Sequence, residues 1–136
     1  MVRLRLRKVG SKAQQSFRIV AAEAKHPRDG RFLENLGQYN PRTHPATIVL
    51  DEARVYHWLK NGAQPSESVN RLFRVTGTLD RFARLKAGEA LDVLTAEAAQ
   101  AAVQRPTDAR TSGVAGGERM SKKKKKATEG EAAKAA

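Results

Sequence analysis

The chain has 136 residues, 26 Lys and Arg against 14 Asp and Glu, and a formal net charge of +12, so it suits one domain whose positive field favours an anionic partner, nucleic acid or an acidic membrane surface. With no cysteine, disulfides, thiolate zinc sites and cysteine nucleophiles are excluded together. No run approaches the ~20 apolar residues of a membrane span, and four cations between Val2 and Val9 are out of place in a secretory signal, so a cytoplasmic protein with no membrane partner is expected.

The first predicted strand is "VRLRLRKV", in which Val2, Leu4 and Leu6 alternate with Arg3, Arg5 and Arg7. A period of two sends these sets to opposite faces, one apolar and one of mutually repelling guanidinium groups. A polar loop, residues 10–16, contains Lys12 and leads to the strand "FRIVAAE", which carries Arg18. In "HPRDGR" Pro27 fixes φ and Asp29-Gly30 supplies turn chemistry. Lys25, Arg28 and Arg31 flank the turn. "FLENLGQY" reads as a third strand with Gly37 marking a bulge. The turn "NPRTHP", containing Asn40 and Arg42, precedes a short fourth strand from Thr47 to Leu50.

At Asp51 the apolar period changes to about 3.6. Val55, Trp58 and Leu59 form one stripe of a helix that Asp51 caps and Asn61-Gly62 stops. A second helix is capped by Ser66, carries Val69, Leu72 and Phe73 on one side, and ends at Gly77. Trp58 and Phe73 are expected in the core. The result is an α+β fold, a small mixed sheet of four to five strands with two short helices packed on it. Residues 1–84 hold 16 basic and 7 acidic residues and all seven aromatics, and are expected to form the domain. Residues 85–136 form a C-terminal extension, with one alanine-rich helix near residues 89–104. Beyond it the composition is that of a disordered basic tail, with five lysines at 122–126 that suit loose phosphate contact.

Candidate function lies in the cations. Residues 1–31 contain Arg3, Arg5, Arg7, Lys8, Lys12, Arg18, Lys25, Arg28 and Arg31 against only Glu23 and Asp29. A solvated outer face normally mixes signs, whereas clustered Lys and Arg mark a nucleic-acid footprint. Arginine's planar fork grips phosphate and stacks on bases. The first helix is close to neutral and makes no recognition helix, so strands and basic loops suit folded RNA, read by shape and backbone. Tyr39 and Asn40 offer a stacking face and a hydrogen-bonding group, or else ordinary packing at a strand end.

Two rivals are a free RNA chaperone and a metal-dependent nucleic-acid-cleaving enzyme. The second needs convergent carboxylates, yet Asp29, Glu34, Asp51 and Glu52 are dispersed over a turn, a strand and a helix start. His26, His44 and His57 lack paired metal-ligand spacing. No catalytic residue, metal site, cofactor or small-molecule substrate is expected.

The stretches "RIVAAEAKHPRDGRFLENLGQYNP" and "WLKNGAQPS", with the basic first strand and a helix ending "VTG", resemble the bacterial small-subunit ribosomal protein S16 family over about residues 1–84. The resemblance implies a non-catalytic ribosomal protein that binds 16S ribosomal RNA early and directly, beside neighbouring small-subunit proteins, and helps that RNA fold. It also implies a mixed sheet carrying helices, and an RNA-facing surface that includes Arg3, Arg5, Arg7, Lys8, Lys12, Arg28 and Arg31.

Overall fold

Alternation in the first strand decides the layering. In the computed structural model, which describes residues 1–105, strand β1 (Val2–Val9) buries Leu4 completely and packs Val2 and Leu6 on the core. Strand β2 (Ser16–Glu23) runs antiparallel to it, with Leu4 opposite Ala21 and Leu6 opposite Ile19. Strands β3 (Glu34–Asn40) and β4 (Thr47–Leu50) extend the sheet antiparallel on the far side of β2. A two-residue strand, β5 (Gln64–Pro65), adds to β1 in parallel and gives the mixed order β4-β3-β2-β1-β5.

The expected irregularity at Gly37 is present. Ile19 faces Gly37 while Val20 faces Asn35, so Leu36 is the extra residue of a bulge. A Cβ on Gly37 would overlap the carbonyl oxygen of Val49, so this glycine also admits β4 at the sheet edge.

Helices cover the apolar face. Helix α1 (Glu52–Lys60) starts as the sequence predicts, with the Asp51 side chain accepting the Arg54 N–H at 3.3 Å. Helix α2 (Glu67–Thr76) buries Val69, Leu72 and Phe73 against β1 and ends at Gly77, whose φ of 75° is left-handed. Ser66 is its N-cap residue, but its side chain makes no capping hydrogen bond. Its backbone N–H donates instead to the Leu4 carbonyl at 2.8 Å, fastening the helix entry to β1. Trp58 is half-buried beside the core and donates its indole N–H to Glu34 at 2.7 Å.

The sequence predicts two helices before residue 85; a third, α3 (Thr78–Ala87), follows Gly77 directly and runs past residue 84. Its anchors are polar, which hydrophobic periodicity does not register. Thr78 and Arg81 are both buried, and the Arg81 Nε donates to Glu52 at 2.9 Å. The Glu52 carboxylate also accepts the Tyr56 and Thr78 hydroxyls, and Arg81 donates to the Thr76 carbonyl at 2.8 Å. Burial, then the hydrogen bond to Glu52, pushes the Tyr56 hydroxyl well up, and the same carboxylate raises Arg81. Every charged group here is matched, as a buried pair requires.

Helix α4 (Leu91–Gln104) falls where the alanine-rich stretch predicts one. Of its expected apolar residues only Leu94 is buried, Leu91 and Val93 being exposed. Arg84 holds α4 by an ion pair to Glu97 and also pairs with Glu89 in the preceding connection, each 2.9 Å. None of the helices among the described residues is long and apolar enough to cross a membrane. The expected basic tail at 122–126 lies outside the described residues.

Removing one partner of a buried ion pair strands the other, at a cost of about 3–5 kcal/mol. Arg81→Met is therefore expected to lower unfolding free energy by that amount in urea melts, several times the loss from Arg71→Met at the exposed Arg71–Glu67 pair. Equal losses would contradict a structural role for the network.

Candidate nucleic-acid interface

Residues directly opposite one another in antiparallel strands share a face. The register Arg3↔Ala22, Arg5↔Val20 and Arg7↔Arg18 thus collects Arg3, Arg5, Arg7 and Arg18 on the side of the sheet away from the helices. Asn35 opposite Val20 and Gln38 opposite Arg18 continue that side across β3. Val20 and Ala22 also belong to it, yet each is only 1% exposed. The face is roofed around Val20 and Ala22 and open at Arg3, Asn35 and Gln38, and β1 holds the roof.

The roof is the segment 24–33. Arg5 Nη2 donates to the carbonyls of His26 at 2.6 Å, Glu23 at 3.2 Å and Pro27 at 3.3 Å. The Arg7 guanidinium lies 4.9 Å from the centre of the Phe32 ring. The Lys8 backbone N–H donates to Asp29 Oδ1 at 3.3 Å. Inside the segment, the Gly30 N–H closes a turn on the Pro27 carbonyl at 3.1 Å. A Cβ on Gly30 would come within 2.7 Å of the Pro27 ring, so the glycine is required for room. Asp29 pairs with Arg28 at 2.9 Å, and that hydrogen bond is the main cause that holds its carboxyl below the usual range. Lys25, Arg28 and Arg31 are exposed along the turn.

The other expected residues lie elsewhere. Lys8 has the opposite strand parity from the arginines and sits across from Phe17, itself across from Tyr39. Tyr39 packs on the core with its ring 6.1 Å from that of Phe17. Asn40 Oδ1 accepts the Arg42 N–H at 3.0 Å, shaping the turn that carries Arg42. Lys12 is exposed in the loop between β1 and β2. Sequence reading counts Phe32 only among the core aromatics and has no signal for the Arg5 contacts, because their acceptors are backbone carbonyls.

Charge on the arginine face is unbalanced. Among the described residues Arg3, Arg5, Arg7 and Arg18 enter no ion pair. Within the same residues, the buried Nε atoms of Arg5 and Arg18 have no hydrogen-bond partner. Like charges directly across a strand pair are destabilising, and Arg7 faces Arg18. An anion laid between them would turn that repulsion into attraction.

The four carboxylates weighed as metal ligands, Asp29, Glu34, Asp51 and Glu52, are engaged in the fold. Glu34 accepts Arg54 Nε at 2.7 Å and the Trp58 indole, Asp51 caps α1, Glu52 lies in the buried network, and Asp29 ties the turn to β1. Among the described residues no group of three or more His, Asp or Glu could hold a metal ion.

Comparison with known proteins adds family information. The family described as Ribosomal protein S16 matches residues 8–66. A small ribosomal subunit protein bS16 from Halothermothrix orenii is 52% identical over 81 residues, covering 60% of this chain and 92% of that protein. Namesakes from Syntrophomonas wolfei and Clostridium botulinum are 45% identical over 84 residues and 49% over 76 residues. Those alignments cover 62% and 56% of this chain, and 96% and 93% of the respective relatives.

Hydrogen bonds from Arg54, then Trp58, hold the Glu34 carboxyl below its ordinary value. A depressed carboxyl contributes stability above its unfolded pKa, about 4.3, and loses it as pH falls through the lower folded value. Emission from Trp58, the sole tryptophan, is expected to change with a midpoint below about 4.3 in an acid titration. Glu34→Gln should remove that transition; a midpoint at or above the ordinary value would contradict the pairing.

Proposed function

The chain belongs to the ribosomal protein S16 family, and from that premise we propose that it binds 16S ribosomal RNA directly and stabilises its folding as the small subunit assembles. A place in the small ribosomal subunit and a structural part in translation follow from the family. The finer reading concerns which surface meets the RNA, and how.

The observation that carries it is the opposed pair Arg7 and Arg18, without an ion-pair partner among the described residues. Arg3 extends the pair along β1, the exposed Lys25, Arg28 and Arg31 border it on the turn, and Lys12 extends it at one end. Lys8, Asn40 and Arg42 supply contacts at the rim, and Tyr39 supports that rim from the core side. The mechanism is charge neutralisation. RNA segments that repel one another are brought together when cations on a rigid sheet stand between their phosphates, and counterions are released. Preorganised side chains lose little entropy on binding. Neighbouring small-subunit proteins are the remaining expected partners, and the ribosome in the cytoplasm is the expected location.

Six engaged phosphates would give a slope of log affinity against log salt near −4 to −5, from about −0.7 each on single strands to about −0.9 on duplex DNA. Filter binding to a 16S ribosomal RNA fragment should return that slope, and one shallower than about −2 would remove the arginine face from the main role. Arg7→Glu with Arg18→Glu should weaken binding by more than a hundredfold at physiological salt while leaving the circular dichroism spectrum unchanged.

Saturating RNA should also raise the melting temperature. Ligand at a hundred times its dissociation constant stabilises the native state by about 2.7 kcal/mol. A melting temperature unmoved by the RNA fragment would count against direct binding.

A further inference from the structure

Arg5 differs from its neighbours in the row. Arg3 is exposed and Arg7 lies over an aromatic ring, whereas Arg5 directs one guanidinium nitrogen at three backbone carbonyls of its own chain. Those carbonyls belong to Glu23, where β2 ends, and to His26 and Pro27, where the turn begins. The shortest contact, 2.6 Å to His26, lies at the short end of charge-assisted geometry. The Nε of Arg5 is buried with no partner among the described residues, so the group is directed inward at more than its tip. A phosphate could engage Nη2 only by competing with these carbonyls.

The consequence reaches Arg28 and Arg31. The segment bearing them is held to β1 at its start by Arg5, at Asp29 by the Lys8 N–H, and at Phe32 by Arg7. The Ala24 N–H also donates to the Met1 carbonyl at 3.0 Å, but among the hydrogen bonds of the described residues the Arg5 contact alone ties His26 and Pro27 to β1. The segment's own hydrogen bonds, His26 N–H to Glu23 and Gly30 N–H to Pro27, are local turns that fix shape without fixing place.

We propose that Arg5 is a positioning residue, whose guanidinium hooks the carbonyls of Glu23, His26 and Pro27 so that the turn presents Arg28 and Arg31 to the RNA, and is not itself a phosphate contact. This rests on the RNA-binding reading above for its functional half and on the RNA-free protein for its structural half. The identity of the residue follows from the job. A guanidinium offers a planar set of donors at the end of a long stem, enough to reach carbonyls 18 to 22 residues away in sequence.

Two measurements on the full chain test it. Amide hydrogen exchange of the RNA-free protein should rise at least tenfold in Arg5→Met at Ala24 and Lys8, whose N–H groups donate across the junction between the segment and β1, with amides of β2 and β3 unchanged. Unchanged exchange at both positions overturns the hook. RNA affinity should then be measured in a cycle of Arg5→Met against Arg28→Ala with Arg31→Ala. A residue that acts through the turn is non-additive with it. Arg5→Met should cost at least tenfold with the turn arginines present and threefold or less without them. An equal cost in both backgrounds makes Arg5 an independent phosphate contact and overturns the proposal. If Arg7→Glu with Arg18→Glu leaves RNA binding intact, the RNA reading fails alone, because the exchange experiment involves no RNA.

Discussion

Like charges on one face of a small sheet are the constraint from which the rest of this structure follows. A strand that alternates leucine and arginine must bury its apolar side, and that fixes four guanidinium groups on the other side across two paired strands. Moving the register by one residue would bury the arginines, so repulsion on the outer face is the lesser cost. The fold reduces that repulsion in different ways along the row. Arg5 is turned onto carbonyls, Arg7 is laid on Phe32, and the turn at residues 24–33 roofs the apolar residues between them. Opposed guanidinium groups at positions 7 and 18 remain, and an external anion would satisfy them.

The helical side shows the opposite economy. Residues 1–50 carry ten basic and three acidic residues, while residues 51–105 carry eight and seven. Positive charge is thus concentrated on the sheet, and the helices are close to neutral. There four of the eight cations are matched: Arg54 with Glu34, Arg71 with Glu67, Arg81 with Glu52, and Arg84 with Glu89 and Glu97. The contrast between a nearly balanced helical side and a sheet whose arginine row enters no ion pair among the described residues gives the molecule a polarity that can orient it on a polyanion.

Much of this was legible in the sequence because it is periodic or local. Alternation gave β1 and its two faces, Asp51 and Gly77 bounded helices through backbone chemistry that acts within a few residues, and Gly37 signalled the bulge. Contacts over long sequence separation were not legible. Arg81 finds Glu52 29 residues away, and α3 is anchored by that pair rather than by an apolar stripe. The two residues of β5 are too few to show any period. Within the candidate site, residue type identified the cations but could not divide them. Arg5 and Arg7 are equivalent by parity and composition, and they differ only in what folds back over each. Lys8 adjoins the row in sequence but belongs to the other face, a distinction that strict alternation contains and that grouping by charge obscures.

An arginine hooked onto backbone carbonyls still carries its positive charge, since a carbonyl acceptor brings no opposite charge to cancel it. Its field still reaches several ångströms, comparable with a Debye length of about 8 Å at physiological ionic strength. Arg5 therefore adds to the attraction felt by an approaching phosphate chain while its hydrogen bonds are committed elsewhere. A neutral donor of similar length would brace the turn and leave the sheet one charge poorer. A lysine would bring the charge on a compact head whose donors lack the guanidinium's fixed planar fork. That double use explains why a strand already crowded with cations carries arginine at its centre: architecture and long-range attraction draw on different properties of the same side chain.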